Sequence, residues 1–150
     1  MTTFDLRWSR PEDVDALAGV SRRSSLSNEG DRALLLAHPE ALEFDGVHAR
    51  AGRTRVATTG GRVVGFATLL HADPPELDDL FVDPDWMRRG IGTALVADAV
   101  ALARAQGATR IEVTANRHAL DFYESVGFVT VGTAVTELGP VAPRMRLTLR

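Results

Sequence analysis

RRGIGT, residues 88–93, is the stretch whose residue types and spacing are most suited to chemistry. Gly90 and Gly92 sit one residue apart, two arginines precede them, and the apolar, alanine-rich run ALVADAV follows. A phosphate needs several N–H donors converging on it. Glycine lets the backbone come close and take positive φ, and a helix start adds unpaired donors and a favourable dipole. Arg88, Arg89, Gly90, Ile91, Gly92 and Thr93 meet that description, with the guanidiniums adding charge for a pyrophosphate. The glycines alone also fit a tight turn. A Walker A loop is excluded because the chain has no lysine. A dinucleotide loop is a closer rival, since Glu112 lies 20 residues after Gly92, where a ribose-binding acid is expected. Against it, Leu95 stands where the last glycine of Gly-x-Gly-x-x-Gly belongs, and residues 83–89 separate the strand from Gly90.

Acid and base candidates flank this loop. In ELDDLFV, residues 76–82, strand alternation puts Glu76, Asp78, Leu80 and Val82 on one face and Asp79 and Phe81 on the other. Tyr123 is the single tyrosine, and a phenol with a pKa near ~10 can donate a proton in a transition state. It also reads as an aromatic packed on a sheet. His71, His118, His38 and His48 show no metal-ligand spacing, so no metal is expected. Cysteine is absent, which removes disulfides, thiolate metal sites and a cysteine nucleophile, and there is no Gly-x-Ser-x-Gly elbow.

The elements that must hold these residues follow from periodicity and stop signals. A strand at 4–7 precedes a helix that starts at Pro11, Glu12 and Asp13 and carries Val14, Leu17, Ala18 and Val20. A short helical patch at 33–37 stops before Pro39. Strands at 55–59 and 62–70 are joined by Gly60-Gly61, a hairpin signal. After the strand at 76–82 comes the strongest helix, 90–106, with a stripe of Ile91, Leu95, Ala99, Leu102 and Ala103 and Gly107 as its stop. A strand at 110–114 leads to Asn116, a good N-cap for a helix to about Val126, with Gly127 as stop. Strands at 128–135 and 144–149 close the chain, with 139–143 as a structured loop between them. The order β, α, α, β, β, β, α, β, α, β, β is a mixed α/β fold, parallel at its centre and antiparallel at its sides, with helices on both faces.

With 150 residues, 45% apolar and 25% charged, the chain suits one domain, 1–150. All 17 basic residues are arginine, which together with abundant Ala, Val and Gly reads as coding bias. A net charge of −3 gives no electrostatic case for nucleic acid. MTTFDLRWSRPEDVD has no apolar run of a signal peptide, and no stretch approaches the ~20 apolar residues of a membrane span, so a cytoplasmic protein without a membrane partner is expected.

ELDDLFVDPDWMRRGIGTALV, residues 76–96, and IEVTANRHALDFYESVGF, residues 111–128, resemble the two halves of the core of the GCN5-related N-acetyltransferase (GNAT) superfamily. Together they span residues 76–128, about a third of the chain, in the family's order and spacing; residues 1–75 match in outline. The resemblance implies the GNAT fold: a mixed, mostly antiparallel sheet of about seven strands whose central parallel pair splays to hold coenzyme A. It implies acetyl-CoA as acetyl donor, and a small-molecule or peptide amine as acceptor. Residues 88–93 would bind its pyrophosphate. Leu80, Phe81 and Val82 would meet pantetheine, one of their amides serving as oxyanion donor. Asn116 matches a cofactor-contacting position, and Tyr123 matches the tyrosine beside the CoA sulfur, an acid for the departing thiolate. Glu76 and Asp78 each match a base position, with water relay as the third route. Met87 departs from the family's Gln or Arg at that place. The segment 139–143 would line the acceptor pocket or a homodimer contact. The competing reading on the same fold is a catalytically silent acyl-CoA-binding or sensor domain.

Overall fold

The computed structural model describes residues 3–136 and 141–150. Seven strands, β1 (Asp5–Trp8), β2 (Thr54–Thr59), β3 (Arg62–Leu70), β4 (Glu76–Val82), β5 (Arg110–Thr114), β6 (Val129–Val135) and β7 (Val141–Thr148), form one sheet in the order β1-β2-β3-β4-β5-β7-β6. The helices are α1 (Val14–Leu26), α2 (Glu29–Ala37), α3 (Val47–Arg50), α4 (Ile91–Ala105) and α5 (Leu120–Ser125). The β4–β5 pair is parallel, and the pairs β1–β2, β2–β3, β5–β7 and β6–β7 are antiparallel. The expected parallel centre is thus one strand pair wide. The chain crosses from β5 through α5 to β6 and leaves a slot, and β7, turning back from β6, fills it antiparallel to both neighbours.

Most element limits fall where the residue pattern places them. Gly60 and Gly61 both take positive φ, 54° and 80°, which is the backbone that a two-residue hairpin between right-twisted strands requires. The other differences have local causes. Pro11–Asp13 is a 3-10 turn ahead of α1, and Arg117–Ala119 is one ahead of α5. The helix α2 starts four residues before the expected patch, because its first turn, Glu29-Gly30-Asp31-Arg32, has no apolar residue to mark it, and it buries no residue. The single turn α3 is too short to carry a period. The expected loop at 139–143 is corrected in its second half: Val141, Ala142 and Pro143 begin β7. Ala142 is buried opposite Ala134, and the Pro143 carbonyl accepts the Ala115 N–H at 2.9 Å, so the proline costs the ladder only a donor. Gly139 and Pro140 lie outside the described residues.

The chain divides into two compact units. The first comprises Met1–Thr68 and Asp79–Leu95. Its core is Val14, Leu17, Val20, Ala49, Val56 and Phe66, with Phe44, Val63 and Phe81 packed against it. Phe66 meets Phe44 and Phe81 at centroid distances of 5.4 Å each. The second comprises Leu69–Asp78 and Val96–Arg150. It buries Leu77, Val96, Ala99 and Ala103 together with Ile111, Val113, Tyr123, Phe128 and Met145. Among the described residues, no helix is long and apolar enough to cross a membrane.

Candidate functional site

The loop of the first unit is held from below. Asp83, the residue after β4, is fully buried. Its N–H donates to the Val64 carbonyl at 2.8 Å, and its carbonyl accepts from Trp86 N–H at 2.8 Å. Its carboxylate accepts the Asp85 N–H at 3.0 Å and so caps the 3-10 turn Pro84–Trp86. The same carboxylate takes the Arg23 guanidinium at 2.8 Å, with Arg62 at 3.7 Å. Burial opposes the charge of Asp83, but the Arg23 hydrogen bond, the Asp85 N–H and the two positive charges outweigh it and hold its pKa below the usual carboxylate range. Gly65 provides the second support. A Cβ there would stand 3.0 Å from the Phe81 carbonyl oxygen and 3.2 Å from Ile91, so glycine lets β3 approach both β4 and the first turn of α4.

Above these supports the backbone turns twice through the left-handed region, at Arg88 (φ 64°) and Gly90 (φ 84°). Arg88 is the one non-glycine with positive φ among the described residues, a conformation that costs of order 1 kcal/mol and clusters at ligand-binding turns. The Gly90 carbonyl accepts the Ala94 N–H at 3.0 Å, so Gly90 is the N-cap of α4. The N–H groups of Ile91, Gly92 and Thr93 then have no partner within the helix, at the positive end of a 15-residue dipole. Arg89 lies over the Trp86 ring at 4.6 Å, and Arg88 and Met87 are exposed. The loop therefore brings together all six residues singled out at 88–93. Its arginines are not interchangeable: Arg89 is pinned to an aromatic face, whereas Arg88 bends the backbone. Leu80, Phe81 and Val82 are half-buried, and Phe81 packs on the core.

The second unit holds the acid and base candidates. The parallel register of β4 and β5 consists of one pair, Glu76 beside Glu112, with the Glu112 N–H donating to the Pro75 carbonyl at 3.1 Å. Arg144 of β7 bridges these two carboxylates. It donates to Glu76, to Glu112 at 3.1 Å and to the Thr114 hydroxyl at 2.9 Å. Arg110 adds a hydrogen bond to Glu112 at 3.1 Å. That hydrogen bond first, then Arg144 and the charge of Arg146, hold Glu112 below the usual carboxylate range against the cost of burial. Glu112 is thus consumed by arginines, which removes the dinucleotide reading that needed it for a ribose. Asp78 is exposed, as are Asn116, His71 and His118. Asn116 accepts the His118 N–H at 2.9 Å, the N-cap contact that its position implied.

Tyr123 sits on α5 with its ring buried between Phe122 and Phe128, at centroid distances of 5.4 and 5.3 Å. Burial pushes its phenol up to about 12. The folded-state value is above the unfolded value near ~10, so the stabilisation by the neutral phenol is complete below that lower value. It is lost as pH rises through about 12. The chain has one tyrosine, no lysine and no cysteine, so no other side chain except arginine titrates in this range. Ultraviolet difference titration is expected to give a single phenolate transition near 12 in the folded protein and near ~10 in urea. A native transition at the unfolded value would contradict the buried ring.

Residue patterns did not point to Asp83, Gly65 or Arg144. Asp-Pro at 83–84 is itself a cap signal, an acceptor side chain before a proline at the first helical position. No group of three or more His, Asp or Glu able to hold a metal occurs among the described residues.

The model of the family described as "Acetyltransferase (GNAT) domain" matches residues 27–149. Peptidyl-lysine N-acetyltransferase YjaB of Salmonella typhimurium is 32% identical over 146 residues, covering 96% of this chain and 97% of that protein. N-alpha-acetyltransferase RimI of Mycobacterium tuberculosis is 42% identical over 82 residues, 51% of each chain. Of other curated relatives the matched part is less than half the length. Among solved structures, a GCN5-related N-acetyltransferase (aminotransferase, class-II) from Rhodopseudomonas palustris superposes with a TM-score of 0.79 at 28% identity, over 99% of this chain and 98% of that one.

Proposed function

The chain belongs to the GNAT acetyltransferase family, and from that membership we propose that it moves an acetyl group from acetyl-CoA to a primary amine by direct attack in a ternary complex. The family match draws on both compact units, which we read as one acetyltransferase domain. The observation that carries the proposal is the loop: two left-handed residues lead into a helix whose first N–H groups have no helical partner. In this reading the backbone of Gly90, Ile91, Gly92 and Thr93 takes the pyrophosphate, and Arg88 and Arg89 supply charge from its edge. Because the backbone does the binding, Met87 in place of Gln or Arg is tolerated. The backbone of Leu80, Phe81 and Val82 meets pantetheine, and one amide there donates to the oxygen of the thioester carbonyl as negative charge develops on it. Asn116 contacts the cofactor as well as capping its turn.

An amine arrives protonated and must lose a proton before it attacks. That proton goes to Glu76 or Asp78, directly or through water. The neutral amine nitrogen bonds to the acetyl carbon and the C–S bond breaks; Tyr123 gives its proton to the leaving thiolate, and the second proton that the nitrogen loses as the amide forms returns through solvent to the phenolate. A phenol pushed up to about 12 stays protonated throughout the working pH range. The similar proteins named above are described as acting on lysine in peptides and on α-amino groups, which supports an amine acceptor here. The test is initial-velocity kinetics with acetyl-CoA and amine both varied. Intersecting double-reciprocal lines are expected, and parallel lines would replace direct attack with an acetyl-enzyme.

A further inference from the structure

Gly19 stands in the interior of α1, where glycine weakens a helix relative to alanine. A close approach explains it. A Cβ at this position would stand 3.0 Å from Nη1 of Arg23, four residues on, and 3.9 Å from its guanidinium carbon. A long side chain on a helix lies back over the residue four before it. Here the guanidinium itself lies over the bare backbone of Gly19, and a side chain at 19 would push it aside.

That guanidinium is the one that meets Asp83. Its Nη1 faces Gly19, while its Nη2 donates to the Asp83 carboxylate at 2.8 Å. Arg62 is 3.7 Å from the same carboxylate oxygen, beyond hydrogen-bond reach, so Arg23 is the closer of the two cations. From Asp83 the contacts run into the loop. The carboxylate caps the Asp85 N–H, the carbonyl accepts from the Trp86 N–H, and the Trp86 ring carries Arg89 at 4.6 Å. Arg89 directly precedes Gly90, the N-cap of α4. Every residue of this line, from Gly19 to Gly90, belongs to the first compact unit. Without Arg23 the buried carboxylate at the root of the loop would keep its charge with only the more distant Arg62 to offset it. That is an unfavourable base for a loop that must take two phosphate charges.

We propose that Arg23 is a positioning residue for the pyrophosphate loop, and that Gly19 is the gap in α1 through which it reaches Asp83. The proposal rests on the CoA-binding part of the acetyl-transfer reading. It makes the affinity for CoA depend on a helix residue 60 positions before Asp83 that touches no part of the cradle itself.

The experiment measures CoA binding by titration calorimetry, which needs no turnover, together with kcat and both KM values. Arg23→Met keeps the stem and removes the charge. It is expected to raise Kd for CoA and KM for acetyl-CoA about tenfold, the scale of one charged hydrogen bond. Binding stoichiometry, kcat at saturating acetyl-CoA and KM for the amine should stay within about twofold of the wild type, as for a loss confined to donor binding. Arg23→Lys recovers part of the affinity, because a single donor and a charge suffice at 2.8 Å. On helix propensity alone Gly19→Ala would be neutral or stabilising. Here it is expected to raise Kd about threefold in the wild type and to add nothing in the Arg23→Met background, the mark of two residues acting through one contact. An unchanged Kd in Arg23→Met, or a lower stoichiometry or kcat with Kd unchanged, would overturn the proposal and leave the ion pair a prop of the fold. If Arg23→Met does not fold, Gly19→Ala decides alone, and an unchanged Kd there overturns it. CoA bound by the wild type without acetylation of any amine would sink the acetyl-transfer reading instead, and the calorimetric comparison would still decide this one.

Discussion

Tyr123→Phe is expected to lower kcat about 100-fold or more, the usual scale for removing a general acid, while the affinity for acetyl-CoA changes little. Phenylalanine keeps the ring and therefore the edge contacts with Phe122 and Phe128, so the fold loses only one oxygen. Transfer from this phenol to a free thiolate is uphill, since a thiol with a pKa near ~8.5 is the stronger acid, so the proton moves only as the C–S bond breaks and charge develops on sulfur. The phenol at about 12 also predicts what the pH profile lacks: no loss of rate from ionisation of the acid below about pH 11. Steady-state kinetics of the two proteins, with acetyl-CoA binding measured separately, check both points. A Tyr123→Phe enzyme with unchanged turnover would leave the residue a packed aromatic.

Asp83→Ala is expected to cost about 2–4 kcal/mol, a fall in Tm of roughly 10 °C for a chain of this size. Alanine removes the cap of the 3-10 turn and the acceptor of the Arg23 hydrogen bond. The Arg23 side chain is 53% exposed and can be rehydrated, so the loss is below that of a buried pair with both partners dry. Asp83→Asn keeps an oxygen for the Asp85 N–H and should fall between. The acid limb separates charge from cap. The folded pKa of Asp83 lies below its unfolded value near ~3.9, so its stabilisation is present above that pH and is lost as pH falls through the folded value. Asp13, held low by Arg7, and Glu112 add to the same limb. Thermal unfolding between pH 5 and 2 should therefore be less steep in pH for Asp83→Asn than for the wild type. Because the turn leads directly into 88–93, Asp83→Ala should also raise KM for acetyl-CoA. Unchanged stability would show that the turn holds itself.

The fold was largely legible because its signals are local. Gly107 and Gly127 stop α4 and α5 with positive φ, and Ala108 and Phe128 donate back to Ala103 and Tyr123 at 3.0 Å each. Such stops need only neighbouring residues. The strand β4 has its expected limits because Pro75 and the Asp83-Pro84 pair bound it. The supports of the candidate site are long-range and were not legible. Arg23 meets Asp83 across 60 positions, and Arg144 meets Glu76 across 68. The second contact exists because β7 returns between β5 and β6, which puts Arg144 two strands, ~10 Å, from Glu76, within reach of an arginine. Alternation along β4 put Glu76 and Asp78 on one face. It could not show that Glu76 shares its carboxylate with an arginine while Asp78 is exposed.

The central claim is that acetyl leaves acetyl-CoA only by reaching an amine. The most direct test follows thiol release and amide formation together, by thiol reagent and mass spectrometry, across polyamines, amino acids, aminoglycosides and peptides with free N-termini or lysines. One free thiol per acetylated amine, with negligible thiol release when amine is omitted, is the predicted result. Tight binding of acetyl-CoA with no amide formed from any of these amines would contradict it, and would make the chain an acyl-CoA sensor on the same fold.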